Sequence, residues 1–500
     1  MTSPTTTQKL SGLDLEPELK IGQESFPARQ RLEVHAPFSA ELIGSVPEFT
    51  PEQIEMLIQL AGKGFEIISQ FSAYRRAQIL NKASQLLSER REEFAKLLTL
   101  EIGKPIKQAR QEVHRAIDVL KLSSEEALRI DGQVIPLSRQ EANQYRQAHL
   151  IYQPLGIVLA ITPFNFPVST SLHKLAPAIA AGNAVIYKPS PSAPLTGHNL
   201  AQIFYEAGLP VEALQTVHCT NIQTEKLAQD PRIKLINFTG SSAVGWNLRR
   251  LSAPGTRALL ELGGNSPVIV HKDARLEKAI PACLRGAFAF SGQTCISVQR
   301  IYVHKDLKSE FTNIMAKAAE KLSVGDPQSD QTDLGPLIKA EAVKRVSLWV
   351  SEAIEEGAHV LTGAETLTNQ CYSPTIIEGL KPKLHLVCSE VFGPVVSIFY
   401  YDDLDETIDL ANDTHYGLSA GLFTQDFDLA HQVSARLNAG TVMINDSSTF
   451  RADEMPIGGQ NQSGLGIEGP RYAIREMSRT KLICLNLSSD FEHHIQTNNK

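Results

Sequence analysis

Cysteine is scarce in this chain: six in 500 residues, at positions 219, 283, 295, 371, 388 and 484. No two stand in a C-x-x-C pair or at zinc-ligand spacing, which excludes a cysteine-built metal site, and no metal is expected. A disulfide scaffold is excluded too, since such chains are short and far richer in cysteine. Free cysteines of this kind are mostly small buried hydrophobes. Long apolar runs are also missing, and nothing approaches the ~20 residues that span a bilayer. The start, Met1-Thr-Ser-Pro-Thr-Thr-Thr-Gln-Lys9, has no apolar core of the kind a secretory signal needs, so a cytoplasmic protein is expected. Basic excess is absent as well: 48 Lys and Arg stand against 55 Asp and Glu, a net charge of −7. A global nucleic-acid footprint is therefore excluded. Low-complexity segments and internal repeats are not evident. What is present is ordinary globular material, 42% hydrophobic and 21% charged. At this length it implies two to four domains with sizeable cores, and an enzyme with neither membrane nor nucleic acid as partner.

Residues 1–50 show weak periodicity and read as loop-rich. From Pro51 to about Leu120 apolar residues recur at three- to four-residue spacing, as in Ile54, Leu57, Ile58 and Ala61, which predicts helices. Residues 133–137 and 148–153 read instead as two extended pieces around a polar middle. Next, Gly156-Ile-Val-Leu-Ala-Ile161 is apolar on both faces, as a buried parallel strand would be. A small-residue helix (172–181), a Gly182-Asn183 stop and a strand (184–188) follow. Further on come a helix (195–207), strands at 214–219 and 234–238, and a helix at 242–251. Strands alternating with helices of this length imply βαβ crossovers and a doubly wound sheet. The alternation resumes after 261, with a helix over 279–290 and a strand over 300–303, so a second α/β domain is expected.

Four places could carry chemistry. Phe238-Thr-Gly-Ser-Ser-Ala-Val-Gly245 puts two glycines five apart where a strand hands over to a helix. A phosphate would be welcome at such a helix N-terminus, although the fingerprint G-x-G-x-x-G is not there and a plain turn would use the same glycines. Lys188-Pro-Ser190 lies at the carboxyl end of a neighbouring strand, the edge where open α/β sheets bind ligands; a solvated surface lysine is the plainer alternative. Cys295, in a loop between a helix and a strand, is either a buried structural thiol or a nucleophile needing help to ionise. Glu261 stands between Leu260 and Leu262 ahead of two glycines, where desolvation would raise its pKa toward general-base duty; a salt-bridged strand end is equally open. Asn165, between Pro163 and Pro167, either makes a turn or presents a rigid amide to an oxyanion.

Taken in order, these segments resemble the aldehyde dehydrogenase superfamily over nearly the whole chain. The resemblance is carried by Thr162-Pro-Phe-Asn-Phe-Pro167, Lys188-Pro-Ser190, Phe238-Thr-Gly-Ser-Ser242, Glu261-Leu-Gly-Gly264 and Gly292-Gln-Thr-Cys295. It continues through Glu390-Val-Phe-Gly-Pro394, Asn412-Asp-Thr-His-Tyr-Gly-Leu418 and Pro456-Ile-Gly-Gly459 with Ser463-Gly464. It implies an α/β fold of two doubly wound domains plus a β oligomerisation arm. The coenzyme domain would take 1–134 and 153–260, the catalytic domain 261–455, and the arm 135–152 and 478–489. The implied reaction is oxidation of an aldehyde to a carboxylic acid with NAD or NADP. Cys295 would be the nucleophile, forming a thiohemiacetal and then a thioester. Asn165 and the Cys295 N–H would hold the oxyanion, and Glu261 would activate the hydrolytic water. Lys188, Ser190, Gly240, Ser241, Gly245, Glu390, Phe392, Thr162 and Pro163 would serve the coenzyme. A homodimer or homotetramer is implied by the arm.

Three positions depart from common patterns of the family. Pro191 stands where many NAD-preferring members carry a ribose-binding glutamate, which removes one barrier to NADP. Asn265 replaces a frequent lysine. Phe164 stands where tryptophan is common and would shape a pocket wall. The run Cys295-Ile-Ser-Val-Gln-Arg300 is similar to members acting on small substituted aldehydes such as lactaldehyde and semialdehydes. Arg451, in the loop 446–452, is a candidate for pairing with an anionic substrate tail; an exposed or interface ion pair is its plainer reading. Glu261 argues against a CoA-acylating enzyme, whose members commonly lack it. The joint presence of Cys295, Glu261 and Asn165 argues against an idle structural protein on the same scaffold. A coenzyme-free cysteine hydrolase would need a partner histidine, and none of the fourteen lies in a telling motif.

Overall fold

The computed structural model describes residue 10 and residues 12–487. The N-terminal stretch through Lys9, Ser11 and the last two residues of the expected arm, 488–489, lie outside the described residues. At the centre of the first sheet is Ile157–Ile161, buried at every position. It pairs in parallel with Ala184–Lys188 on one side and Ile233–Thr239 on the other. Leu214–Thr216 extends one flank and Arg257–Glu261 the other, both parallel, and the short antiparallel Gly464–Leu465 closes that second edge. Helices Ser169–Ala181, Pro194–Glu206, Asn221–Gln229 and Ser242–Leu251 make the crossovers. Two apolar clusters result. One holds Val158 and Val185 with the small-residue helix 169–181, the other Leu159 and Ile186 with Ile54, Leu57 and Ile58. The strand order reverses between 157–161 and 233–239. The crevice at their carboxyl ends, occupied by Thr162–Asn165 and Gly240, is where such a sheet takes a ligand.

A second sheet of seven strands runs His359–Thr362, Thr375–Glu378, Val395–Tyr401, Val298–His304, Ser266–Val270, Ser419–Phe423 and Thr441–Ile444. All neighbours are parallel except the outermost pair, 359–362 with 375–378. Only residues 262–265 separate the last long strand of the first sheet from the first of the second. Glu261 therefore ends one sheet just before the other begins. Cys295 lies ahead of Val298–His304, at the amino end of a buried strand.

The extended pieces of the sequence form a separate three-stranded antiparallel sheet, Gln133–Pro136, Arg146–Pro154 and Ser478–Asn486. Its strands begin two residues before 135 and end two after 152. The segment after 455 returns to the first sheet: Gly464–Leu465 pairs with it, and Ala473, Ile474 and Met477 pack into its core. Some expectations need correction. Residues 1–50 are not simply loops, because Leu19–Ile21 pairs with Glu24–Phe26 and Arg31–His35 with Leu42–Pro47. Strands of three to six residues are too short to show a period. The expected strand 214–219 ends at Thr216. The expected helix 279–290 runs from Leu276 to Phe288, and then Phe290 and Ser291 turn left-handed, with φ of 46° and 54°. No helix among the described residues is long and apolar enough to cross a membrane.

Candidate active site

A cleft of about 360 Å³ opens at the carboxyl edge of the first sheet. Thr162, Pro163, Phe164 and Asn165 line it from the central strand, Lys188 and Ser190 from the next, and Gly240 and Ser241 from the third. Cys295, Glu390 and Phe392 complete it from the second sheet's side. Lys188 is no surface lysine. It is 5% exposed, and its side chain makes no hydrogen bond or ion pair among the described residues. Burial pulls its ammonium below the ordinary lysine value. Gly245 does not line the cleft; a Cβ there would meet Leu262 Cδ2 at 2.4 Å, so its work is to let helix 242–251 lie close against the sheet.

The nucleophile candidate rides on a strained turn. Phe290, Ser291 and Gly292 all have positive φ, and a Cβ on Gly292 would stand 2.1 Å from the Gly393 oxygen. Non-glycine residues persist there only because neighbours over-determine them. The Phe290 N–H donates to Gln108 Oε1 at 2.8 Å, Ser291 Oγ to the Gly335 oxygen at 2.7 Å, and Gln293 Oε1 accepts from the Ile338 N–H at 2.9 Å. Asn165 is 5% exposed, and its Nδ2 donates to the Gln293 oxygen at 2.9 Å. One amide N–H is thus committed to the loop that carries Cys295, and the other is left to donate elsewhere. Burial pushes the Cys295 thiol up to about 12; Glu390 and Glu261 push the same way, and Arg451 opposes them. The resting residue is a thiol, so attack requires a proton acceptor.

Glu261 does not line the cleft, yet it is not a salt-bridged strand end. It is 6% exposed and its Oε1 has no hydrogen-bond partner. Burial raises its pKa well above the ordinary carboxylate range; Glu468 adds to the rise, while Lys174 and Arg451 hold it back. Lys174 is spent on Glu468 Oε1 at 2.5 Å and Asn237 Oδ1 at 2.8 Å. Glu390, also raised by burial, to about 7, accepts from the Gly264 N–H at 3.2 Å. Asn265, without a consequence derivable from sequence, anchors the segment before Glu390 through Nδ2 to the oxygens of Val387 (2.7 Å) and Ser389 (3.3 Å). Gln299 ties the Gly264 oxygen to the Val391 N–H. Opposite these, the Phe392 ring meets Phe164 edge-on at 5.9 Å.

Arg451 lies outside the cleft, beside a smaller hollow that also includes Ile296 and Ser448. It is not an exposed ion pair. Its side chain is 17% exposed, its Nη2 lies 3.4 Å from His173 Nε2, and its buried Nε makes no hydrogen bond but stands 3.9 Å from Asp453 Oδ1 in a buried ion pair. Asp453 gathers the neighbours, bound by Arg115 at 2.8 Å and His173 at 3.1 Å. Burial lowers the His173 imidazole pKa, Arg451 lowers it further, and Asp453 opposes; its Nδ1 has no partner. Sequence reasoning missed His173, Asp453, Arg115, Lys174 and Glu468. They come from three stretches of the chain, at 115, 173–174 and 453–468, and only the fold gathers them.

Residues 25–483 match the sequence model of the Aldehyde dehydrogenase family. A 3-sulfolactaldehyde dehydrogenase of Priestia aryabhattai is 41% identical over 470 residues, covering 94% of this chain and 98% of that protein. Among solved structures, aldehyde dehydrogenase 21 of Physcomitrella patens, complexed with the reaction product succinate, superposes with a TM-score of 0.91 at 34% identity, covering 95% and 99% of the two chains. A glyceraldehyde-3-phosphate dehydrogenase of Methanocaldococcus jannaschii, complexed with NADP, gives a TM-score of 0.88 at 38% identity, covering 92% and 99%.

Proposed function

The chain belongs to the aldehyde dehydrogenase family, and from that premise we propose that it oxidises a small substituted aldehyde with an anionic tail, lactaldehyde- or semialdehyde-like, to the carboxylic acid with NAD or NADP. The residues fit a dinucleotide. A buried, unpartnered lysine, a glycine turn and the start of a ten-residue helix converge on one sheet edge, and no carboxylate stands at Pro191. Lys188 and Ser190 would meet the adenosine ribose, Gly240 and Ser241 the pyrophosphate, and Glu390 the nicotinamide ribose. Thr162, Pro163 and Phe392 would pack near them. When bound, the coenzyme supplies the hydride acceptor that turns a thiohemiacetal into a thioester.

The chain's own residues do the rest. The Cys295 sulfur attacks the aldehyde carbon, and its proton leaves to a carboxylate whose raised pKa suits it to receive one. The free N–H of Asn165 and the backbone N–H of Cys295 hold the oxygen on which charge develops. After oxidation, Glu261 takes a proton from water, which attacks the thioester and releases the acid. The observation that carries this reading is the meeting of Cys295, Asn165 and Lys188 in one cleft, with the unpartnered, desolvated Glu261 next to it. Two α/β domains, a coenzyme domain before 260 and a catalytic domain over 261–455, are joined by an antiparallel arm made of Gln133–Pro136, Arg146–Pro154 and Ser478–Asn486. Exposed Val134, Leu482, Ile483 and Leu485 on the arm support a homodimer or homotetramer. Six free cysteines fit a reducing cytoplasm.

The anionic tail is supported by Arg451, whose buried Nε makes no hydrogen bond, its ion pair with Asp453 standing at 3.9 Å, beside the Ile296 that follows Cys295. The relatives above act on or hold molecules carrying sulfonate, carboxylate and phosphate groups. An aldehyde panel, anionic and neutral, run with NAD and with NADP on the wild type and Arg451→Ala, tests the reading. The variant should lose at least ~10-fold in kcat/KM on anionic aldehydes and little on neutral ones. An unchanged preference would remove Arg451 from substrate recognition, and no coenzyme reduction with any aldehyde would remove the function.

A further inference from the structure

Lys104 sits in the three-residue break between helices Arg91–Ile102 and Ile106–Ala127, after a left-handed Gly103 and before Pro105. Its side chain is 1% exposed, as is that of its partner Glu112. The ammonium donates to Glu112 Oε2 and, at 2.6 Å, to the backbone oxygen of Asn165. Two aromatic rings cover the rest of it, Phe166 at 3.7 Å and Phe290 at 4.6 Å. One ring belongs to the turn that carries Asn165, the other to the left-handed turn that leads to Cys295. The other oxygen of Glu112 accepts from the N–H groups of Val168 (3.0 Å) and Ser169 (3.3 Å), fixing the start of the helix after Asn165. One turn beyond Lys104, Gln108 holds the Phe290 N–H.

We propose that Lys104, held by Glu112, is a positioning residue that sets the Asn165 amide against Cys295. The inference rests on the reading of Asn165 as an oxyanion donor. Asn165 is pinned at both ends, its carbonyl by Lys104 and its side-chain nitrogen by the Gln293 oxygen. A buried ion pair is a costly way to fill space, and apolar residues of like volume often serve stability as well or better. This pair instead spends a donor on the backbone of one catalytic candidate and lies under rings from both active-site turns. Misplacement of a reacting group by about 1 Å costs on the order of 10²-fold in rate. The fold places the cation where it prevents that displacement.

The test is a double-mutant cycle read by the pre-steady-state burst of NAD(P)H in the full-length enzyme. Lys104→Met alone strands a buried carboxylate and invites misfolding, so it is combined with Glu112→Gln. The glutamine oxygen can still accept from Val168 and Ser169 while the tie to Asn165 is lost. In the wild-type background the double variant should slow the burst roughly 10- to 100-fold, with coenzyme affinity and the thermal unfolding transition retained. In an Asn165→Ala background, itself slowed by ~10²–10³-fold, the same change should cost less than about threefold more, because its effect passes through Asn165. An equal loss in both backgrounds would show a general structural role and overturn the proposal, as would an unchanged burst in the wild-type background. If Asn165→Ala itself left the burst unaltered, the oxyanion reading would fall and take this inference with it. That outcome is separate from failure of the cycle alone.

Discussion

Two carboxylates and a thiol lie close together in poorly hydrated surroundings, and burial pushes each toward its neutral form. The Cys295 thiol is pushed to about 12 by burial and the nearby acids, Glu390 to about 7 by burial, and Glu261 well above the ordinary range. The sign of the pH dependence follows. Glu261 can accept a proton only when ionised, and its raised pKa keeps it protonated in solutions where an ordinary glutamate, near 4.3, is already charged. Turnover should therefore rise with pH through the neutral region and fall off on the acid side well above pH 4–5. A pH profile of kcat measures this, and a flat profile from pH 5 to 8 would show that Glu261 is not the limiting base. Arg451, the one cation opposing both rises, ties the chemistry to substrate choice, since an anionic tail paired with it would weaken its pull on Cys295 and Glu261.

Individual elements show what a sequence can and cannot disclose. The strands 157–161 and 184–188 and the helix 242–251 are legible to within a residue, because burial on both faces and a Gly182-Asn183 stop are local signals. Cys295, Asn165 and Lys188 are legible as candidates because each sits at a strand or loop edge beside glycine or proline. The left-handed run 290–292 is not legible. Only Gly292 favours such a backbone on its own, and Phe290 and Ser291 are forced into it by partners at 108 and 335. Nor is Lys104 singled out, since its meaning depends on Asn165 and Phe290, 61 and 186 residues away. Gly292→Ala tests the strained turn. A Cβ would meet the Gly393 oxygen at 2.1 Å in a backbone that already disfavours alanine by about 1–2 kcal/mol. Stability should drop by at least ~2 kcal/mol, as such mismatched backbone substitutions do, and acylation should slow. Thermal unfolding and burst kinetics check this, and a variant with wild-type stability and rate would show that the turn relaxes freely.

At the level of the whole molecule, two largely parallel sheets meet through residues 262–265, and the candidate reacting groups come from both sides of that junction. The antiparallel arm stands apart, with Val134, Leu482 and Leu485 exposed on it. Leu482→Lys together with Leu485→Lys should shift the species seen by sedimentation toward monomer; an unchanged distribution would show that the arm is not the interface. The acidic balance of the chain says nothing about its ligand, because a glycine turn, a helix end and one buried lysine can meet the phosphates and ribose of a dinucleotide locally. The central claim is a covalent path in which Cys295 is acylated and Glu261 clears it. The most direct measurement is single-turnover kinetics of Glu261→Gln with a reactive aldehyde, followed by mass spectrometry of the peptide containing Cys295. The expected result is a burst of one NAD(P)H per active site, a stall, an acyl adduct on Cys295, and neither burst nor adduct in Cys295→Ala. Sustained wild-type turnover by Glu261→Gln, or a burst that survives Cys295→Ala, would contradict it.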